Sequence, residues 1–240
     1  MKKLTPFILV LVALFITPTL HAQNWFKSVS GNGKVTKEVR KTASFDGVKA
    51  SAGINVYLFQ GDEEKVIVET DENLQDCILI EVDGSTLKCS IDCSIRNSTK
   101  LNVYVNFKQL NKIKASSGSD ICGETVITTN YLDVKSESGA DVKIEVNAGS
   151  IKCEVSSGAD AVIKGKADFF EGDASSGADI KAADLIVKSC KASASSAGDI
   201  QITVTDKIDA SASSGGDVNY YGNPEVEHIS ESSGGDVKRR

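Results

Sequence analysis

The chain has 240 residues, which is enough for one domain or for one domain with a small second one. It carries 33 acidic and 27 basic side chains, a formal net charge of −6, and four of the basic residues are arginines. Such an acidic, arginine-poor chain is not expected to bind nucleic acid, which requires a basic surface. It also lacks the pattern of a basic amphipathic helix that would hold it on an anionic membrane.

The first 22 residues have the pattern of a secretory signal peptide. Lys2 and Lys3 provide a positive start, residues 6–20 are mostly apolar, and Ala22 supplies a small residue at the expected cleavage point. The apolar stretch is too short for a membrane span. We therefore predict that the chain is exported and does not insert into a membrane once the signal peptide (residues 1–22) is removed. It would work in the periplasm, on the cell surface or as a secreted protein.

Residues 23–43 are short and polar, and predict a linker or a lead-in strand. Residues 44–111 contain runs of β-branched and aromatic residues separated by turn signals, which predicts a less regular β part. Asp83 and Gly84 separate two of these runs, and this dipeptide predicts a hairpin. A short helical turn is expected near residues 71–76.

The second half of the chain repeats one five-residue motif seven times. The copies have the form Ser-Ser-Gly-x-Asp with small variations, and the step from one aspartate to the next is 18 to 21 residues. A short, regular period predicts units that stack on one another rather than fold alone. The copies occupy residues 116–120, 137–141, 156–160, 175–179, 195–199, 213–217 and 232–236.

Each repeat contains strand signals and no helix signal. After the second copy of the motif, Val142, Ile144 and Val146 alternate with polar residues, and this alternation places one face of a strand in the core and the other in water. Parallel strands joined by helical crossovers would need longer connections. We therefore predict an all-β, single-domain parallel β-helix over residues 44–238, with turns of about 19 residues in the repeat coil at residues 112–238.

The segment around Gly53, Ile54 and Asn55, together with the repeats that follow it, resembles the head GIN domain family. The triplet is followed by a Gln-Gly-Asp turn at residues 60–62 and by a later LNVYVNF run that leads into the repeats. The resemblance extends over about residues 44–237. It implies an exported or surface-associated β-helix of the kind described in Bacteroidetes as autotransporter adhesins, with the triplet as the family motif.

The aspartates of the repeats are the candidate metal ligands. If the turns stack in register, the carboxylates form a row about 5 Å apart, in which like charges repel one another. One interpretation is that each carboxylate accepts backbone N–H bonds within its own turn, as in Asx turns. The other is that the row binds Ca²⁺, which prefers carboxylate and carbonyl oxygens; no other cofactor is expected. The candidates for a metal site are Asp141, Asp160, Asp179, Asp199 and Asp217.

The glycine of each motif predicts a corner of the coil, because glycine adopts a positive φ without steric cost. In the fifth copy Ala197 and Gly198 exchange their usual places. This exchange predicts that the corner there is shifted by one residue.

Six cysteines in an exported chain point to disulfide chemistry. Cys77, Cys89 and Cys93 lie close together in the sequence and could supply one bridge. Cys153 and Cys190 fall in the apolar phase of predicted strands and are expected to be free thiols in the core. No pair has the spacing of a zinc site.

The repeat is interrupted at residues 220–228, where two tyrosines, a proline and a histidine occur together. One interpretation is a ligand patch of aromatic rings formed by Tyr220, Tyr221 and His228. The other is an ordinary turn in which Tyr220 fills the end of the core. No Ser-His-Asp or paired-carboxylate constellation stands out from the repeats, so no catalytic residues are predicted.

These features predict a non-enzymatic binding module whose partner is a glycan, a protein or a component of the cell envelope. The alternatives are a polysaccharide-processing enzyme on a β-helix scaffold and a purely structural envelope protein. Contacts between the faces or the ends of two β-helices would also allow a homo-oligomer.

Overall fold

The computed structural model describes residues 28–240. The predicted signal peptide, and residues 23–27 of the predicted linker or lead-in strand, lie outside the described residues. No helix within residues 28–240 is long and apolar enough to cross a membrane. The strands are β1 (Val29–Ser30), β2 (Val35–Arg40), β3 (Gly47–Ala50), β4 (Asn55–Gln60), β5 (Lys65–Asp71), β6 (Ile78–Asp83), β7 (Thr86–Ile91), β8 (Ile95–Asn97), β9 (Leu101–Phe107), β10 (Lys112–Ser116), β11 (Asp120–Gly123), β12 (Ile127–Glu137), β13 (Asp141–Ser156), β14 (Asp160–Ser175), β15 (Asp179–Ser195), β16 (Asp199–Ser213), β17 (Asp217–Gly222), β18 (Val226–Glu231) and β19 (Asp236–Arg239), with one 3-10 helix (Glu72–Cys77) between β5 and β6.

The repeats form a parallel β-helix, which confirms the predicted fold class. From β12 to β16 each strand pairs in parallel with the next along most of its length, and β16 pairs with both β17 and β18. β13 to β16 are 15 to 17 residues long, so each strand bends round the coil while its backbone stays paired with its neighbours. The coil has about seven turns with a spacing of about 19 residues.

The core consists of columns of apolar side chains, one from each turn. Val142, Ile144 and Val146 are at most 3% exposed, whereas the polar residues between them face water. Parallel pairing stacks equivalent positions, so Val142 lies next to Ala161 of the following turn, and Ile144 lies next to Ile163. Burial of each valine or isoleucine side chain in these columns stabilises the fold by about 1.5–3 kcal/mol.

The turns before the repeats are not stacked in the order of the sequence. β3 and β4 form one turn, and β7 and β9 form another that comes later in the chain. In space, β3 lies between β7 and β10, and β4 lies between β9 and β11, with all of these pairs parallel. The chain therefore leaves the coil after β4, builds the end of the molecule, and returns through β7 and β9 before the repeats begin at β10.

Antiparallel strands close this end of the coil, and we call β2, β5, β6 and the 3-10 helix the cap. β5 pairs with β9, and β2 pairs with β5, so that β2 is a lead-in strand. β6 pairs with β7 through a turn at Asp83 and Gly84, which confirms the predicted hairpin. The 3-10 helix confirms the helical turn expected near residues 71–76. Because these strands pair with the first parallel turn, they cover a backbone edge that would otherwise be open.

One disulfide and one buried carboxylate link the cap to the loops that precede β2, β8 and β9. Cys77 and Cys93 form the bridge expected within the group of three cysteines. The buried carboxylate of Asp71 accepts hydrogen bonds from the backbone N–H of Gly33 (2.7 Å), the backbone N–H of Thr99 (2.7 Å) and the Thr99 hydroxyl (2.9 Å). Burial raises the pKa of Asp71, but these hydrogen bonds outweigh burial and leave the pKa below its ordinary value.

Candidate functional site

Each repeat turns at two consecutive residues that both have a left-handed backbone. In the second copy of the motif, Ser138 has a φ of 59° and Gly139 a φ of 67°. This conformation costs glycine nothing, but it is uncommon for a serine. The other corners of the repeats, all with positive φ at both residues, are Ser117 and Gly118, Ser157 and Gly158, Ser176 and Gly177, Ser196 and Ala197, Ser214 and Gly215, and Ser233 and Gly234.

Hydrogen bonds between turns continue through these corners. The N–H of Gly139 donates to the carbonyl of Ser157 in the next turn, at 3.1 Å. The N–H of Asp141 donates to the carbonyl of Ser119 in the previous turn, also at 3.1 Å. Because equivalent bonds recur along the coil, the backbone itself satisfies the polar groups of the corner and holds the turns in register.

The residue between the glycine and the aspartate of each motif points into the core. Ala140, Ala159 and Ala178 occupy this position and are completely buried. Glycine occupies it in the last three copies, and a Cβ added to Gly216 would lie 2.7 Å from the backbone nitrogen of Ser195. The position is therefore restricted to very small side chains in the later turns.

The fifth corner corrects one prediction. Ala197 has a φ of 60° and takes the place of the usual glycine, so the corner is not shifted by one residue. A Cβ on Gly198 would lie 2.6 Å from the carbonyl carbon of Ala174. Alanine can adopt the left-handed conformation at the exposed position, whereas only glycine fits at the buried one.

The Gly53-Ile54-Asn55 triplet is one more copy of this corner. Asn55 pairs in register with Asp120 of the first repeat. Ala52 and Gly53 have φ values of 63° and 76°, as at the other corners. Ile54 is completely buried at the position that is small in the repeats. The family motif is thus the point where the chain first makes the turn that the repeats then multiply.

We did not predict this equivalence from the sequence, although a signal for it exists. Residues 48–55 read VKASAGIN, and residues 113–120 read IKASSGSD. The strands β5 to β9 lie between the two segments, so a fixed period of about 19 residues does not connect them. Alignment of the segments by residue type, without regard to their spacing, would have found the match.

The aspartates of the repeats form a single row on the outside of the coil. Parallel pairing aligns each one directly with the next, which places them about 4.8 Å apart. At the first repeat the row continues into Asn55 and Asn102, whose side-chain amides share a hydrogen bond of 3.3 Å. We call the seven acidic residues the aspartate column: Asp120, Asp141, Asp160, Asp179, Asp199, Asp217 and Asp236.

The carboxylates of the aspartate column repel one another. Burial and the neighbouring Asp141 raise the pKa of Asp120. Burial, followed by the carboxylates of Asp179 and Asp217, raises the pKa of Asp199. The ionised form is therefore disfavoured at these positions in the folded protein.

Lysine relieves this repulsion at one step of the column. The Nζ of Lys181 lies 2.6 Å from a carboxylate oxygen of Asp160 and 3.2 Å from one of Asp179. Within residues 28–240, none of the column's carboxylates accepts a backbone N–H from its own turn, so the Asx-turn interpretation was wrong. The column is maintained by the backbone, and its carboxylates remain at the surface.

The structure brings all five predicted metal candidates into one row, but it does not gather them around a point. In the part of the chain that the structure describes, no three His, Cys, Asp or Glu side chains converge as they would around a bound ion. Binding of Ca²⁺ by Asp141, Asp160, Asp179, Asp199 and Asp217 therefore stays a prediction.

The structure buries one of the three residues of the predicted ligand patch. Tyr220 is 3% exposed and belongs to the core, as the alternative interpretation expected. Burial raises its pKa, and a hydrogen bond with Glu227 raises it further. Tyr221 is half-buried on β17, and His228 is exposed on β18. A surface formed by all three side chains is therefore not present.

The remaining cysteines are free thiols. Cys153 and Cys190 are buried, which confirms their prediction as core residues, and Cys89 is also buried. Burial raises the pKa of Cys89 to about 12 and that of Cys190 to about 12, and it raises the pKa of Cys153 as well. Such thiols remain protonated and unreactive. Cys122, on β11, is half-buried.

An aromatic pair that the sequence analysis did not single out lies on the outer face beside the cap. The rings of Tyr57 and Tyr104 stack with centroids 5.2 Å apart, and the Nζ of Lys37 lies 4.9 Å from the centroid of Tyr104. The Tyr104 hydroxyl donates a 2.7 Å hydrogen bond to the buried carboxylate of Glu69. This bond, supported by one from Lys100, outweighs burial and lowers the pKa of Glu69 to about 2.

A groove of about 490 Å³ runs along the bend between the two halves of β13, β14 and β15. Its lining includes the small residues Ala148 and Ala167 and the side chain of Ile186, which is 53% exposed. An ion pair between Lys188 and Asp168, at 2.7 Å, borders it. The titratable residues of its lining are Lys166, Asp168 and Lys188.

Residues 44–224 match the model of a family described as "Putative auto-transporter adhesin, head GIN domain". The chain belongs to this family. The resemblance carried by the Gly53-Ile54-Asn55 triplet and the repeats is thereby confirmed. The family description is that of an adhesin.

Several solved structures share the fold of this head GIN chain. A "putative adhesin" from Bacteroides fragilis has a TM-score of 0.83 at 24% identity, with 89% of this chain and 100% of that chain covered. A "putative adhesin" from Parabacteroides merdae has a TM-score of 0.71 at 21% identity, with 89% and 99% covered. A "putative lipid binding protein" from Parabacteroides distasonis has a TM-score of 0.69 at 20% identity, with 89% and 100% covered. No curated protein matches the chain.

Proposed function

We propose that this head GIN protein is a non-enzymatic binding module that is exported to the periplasm, the cell surface or the medium. It would engage a glycan, a protein or an envelope component along the outside of the coil. The family description supports an adhesive role in general terms. The geometry of the outer surface supports the more specific form of the proposal.

The observation that carries the proposal is the alignment of like side chains into outward columns. Asp141 and Asp160 are paired in register, and so are Asp160 and Asp179 and, at the start of the motif, Ser156 and Ser175. A surface that repeats the same groups every 4.8 Å or so suits an extended ligand that also repeats. An enzyme needs a few groups of different chemistry converging on one reacting atom.

The open groove beside Ala148 and Ala167 is consistent with binding along the coil. Its floor is small and apolar, and polar side chains such as Asn147 and Thr205 lie at its margin. A long, shallow surface of this kind can hold an extended chain through many weak contacts. It does not enclose a small substrate.

The proposal is tested with the exported chain on an array of glycans and on whole bacterial and host cells, together with an assay for depolymerisation of the glycans. We expect saturable binding and no release of new reducing or unsaturated ends. Release of such ends would favour the polysaccharide-processing alternative. Binding to none of the glycans or cells would favour a purely structural envelope protein.

A further inference from the structure

The outer face formed by β7, β3, β10 and β12 carries four lysines in a row. Lys88 pairs with Lys49, Lys49 with Lys114, and Lys114 with Lys135. These pairings place their Cα atoms about 4.8 Å apart along the axis of the coil. We call Lys88, Lys49, Lys114 and Lys135 the lysine column. The row exists because the turn of β3 is inserted between those of β7 and β10.

The neighbouring outward column, two residues earlier on each strand, has a different composition. Its side chains alternate in sign along the coil, so each ammonium group has at least one carboxylate as its neighbour. Opposite charges on adjacent strands attract one another, and like charges repel. In order along the axis, this alternating column consists of Lys112, Asp133, Lys152, Glu171, Lys191 and Asp209.

The two central residues of the lysine column lack ion-pair partners. Lys88, at one end, lies 2.7 Å from Asp83, and Lys135, at the other end, lies 3.5 Å from Glu137. No carboxylate of residues 28–240 lies within salt-bridge distance of Lys49 or Lys114. The first 27 residues contain no aspartate or glutamate. The lysine column therefore has two adjacent ammonium groups at its centre without a carboxylate partner, in a chain with a net charge of −6.

Three of the four lysines line a small recess on this face. The recess has a volume of about 110 Å³ and is lined by Lys49, Lys114 and Lys135, together with Ser116 and Glu137. The lysines of this face are half-buried, so their aliphatic stems pack on the sheet while their charged ends remain accessible. A carboxylate or sulfate group seated here would relieve the repulsion between neighbouring lysines.

The column also has defined ends. Beyond Lys135 the same row continues with Glu154 and Asp173, which would repel an anion. Beyond Lys88, the strand β6 brings Glu81 and Asp83. The positive strip is therefore one residue wide and about four turns long, which corresponds to roughly 14 Å between its outer Cα atoms.

We propose that the lysine column binds a linear anionic polysaccharide that bears carboxylate or sulfate groups and lies along the axis of the coil. This inference rests on the proposed function and names the ligand class and the site for it. A strip one residue wide with acidic residues at both ends fits a short stretch of a single charged chain. A membrane surface or a nucleic acid duplex is wider and would also cover the acidic residues at the ends of the strip, such as Glu154 and Glu81, where its charges would be repelled.

The test compares the exported chain with a K49Q/K114Q variant for binding to polygalacturonate and to dextran sulfate, with neutral dextran as the control polymer. We expect the variant to bind the anionic polymers about tenfold or more weakly, because close charge pairs are lost, and we expect binding by the original chain to weaken with added salt. A K49R/K114R variant keeps the charges and should retain most of the binding. Circular dichroism and the Tm check that each variant is folded.

The matched control is K65Q/K207Q, which removes two exposed lysines outside the column. It should bind the anionic polymers within about twofold of the original chain, since it alters the net charge equally but not the column. Equal weakening by both double variants, binding to neutral dextran, or no binding to either anionic polymer would overturn the inference. Preference for vesicles of anionic lipid over both polymers would overturn it too.

The outcome can be separated from that of the proposed function. If the original chain binds arrayed glycans or cells, and K49Q/K114Q binds them equally well, the lysine column is not the site but the binding module stands. If the original chain binds no arrayed glycan and no cell, the proposed function itself fails. If K49Q/K114Q loses binding to the anionic glycans of the array and keeps its other binding, the result supports both the binding-module function and the lysine column as its site.

Discussion

Carboxylates lie both in the cap and in the repeats of this coil, but their surroundings differ. In the cap, Glu69 and Asp71 are buried and accept several hydrogen bonds each, and their pKa values are lowered. In the aspartate column, burial and neighbouring carboxylates raise the pKa of Asp120 and Asp199. Ionised carboxylates therefore stabilise the cap and oppose the stacking of the repeats. The cap depends on specific polar and covalent links, whereas the repeats depend on packing and on backbone hydrogen bonds.

The largest effect is expected from removal of a core side chain in the repeats. Phe170 is completely buried, and Phe170→Ala should destabilise the protein by about 4 kcal/mol through the cavity that it leaves. The neighbouring Phe169 is 39% exposed, and Phe169→Ala should cost less than about 1 kcal/mol. Urea unfolding of the two variants measures both values. Similar losses would mean that packing does not dominate the stability of the repeats.

The next effect concerns the covalent link of the cap. Loss of the disulfide in a C77S/C93S variant should cost about 3 kcal/mol, because the bridge closes a loop of 16 residues. Adding a reductant should lower the Tm of the original chain and leave that of the variant unchanged. A Cys122→Ser variant is the control, since Cys122 is a free thiol. A reductant-insensitive Tm in the original chain would contradict the expectation.

A third test uses two adjacent glycines at one corner. Gly216→Ala should destabilise by about 2 kcal/mol, since the added Cβ would lie 2.7 Å from the backbone of Ser195. Gly215→Ala should cost only the strain of a left-handed alanine, about 1 kcal/mol, because its Cβ would meet no atom within 4 Å and Ala197 already occupies the equivalent position. Thermal unfolding gives both values. A larger loss for Gly215→Ala than for Gly216→Ala would show that the positive φ, rather than the close approach of neighbouring turns, determines which side chains the corner accepts.

The pH dependence of the cap follows from Glu69. Its folded pKa is about 2, below its ordinary value of 4.5, so its contribution is fully present above pH 4.5 and is lost as the pH falls toward 2. Glu69→Gln should cost about 1 kcal/mol at neutral pH and should flatten this part of the stability profile. Urea unfolding at a series of pH values measures it. An unchanged profile in the variant would show that Glu69 does not contribute.

The smallest predicted effect is a gain in stability, whereas the variants above lose stability. Because the folded pKa of Asp199 is raised, the ionised side chain disfavours the folded state, and its unfavourable contribution disappears as the pH falls through the folded pKa. Asp199→Asn should therefore raise stability at neutral pH, by less than about 1 kcal/mol for this exposed group.

We expect a chelator to leave the Tm of the original chain unchanged. A Tm that rises with Ca²⁺ and falls with the chelator, but only when Asp199 is present, would instead favour the predicted calcium site.

The local pattern was enough to predict most of the coil. Alternation at Val142, Ile144 and Val146 specified which side of the strand is buried, and the repeated aspartates specified the register of one turn on the next. The break at residues 220–228 was harder to interpret. Periodicity places Tyr220 in the inward phase, but aromatic residues serve both cores and binding surfaces, and burial decides between the two.

The strands, most of the corners and the columns within the repeats could be predicted from the sequence, because alternation and a fixed period are local properties of the chain. Tertiary structure alone decided which turn lies next to which at the capped end. There β3 lies between β7 and β10, an order that depends on backbone pairing between distant segments. That order makes Asn55 the neighbour of Asp120 and places Lys49 between Lys88 and Lys114. The candidate site for an anionic glycan therefore exists only in the folded chain.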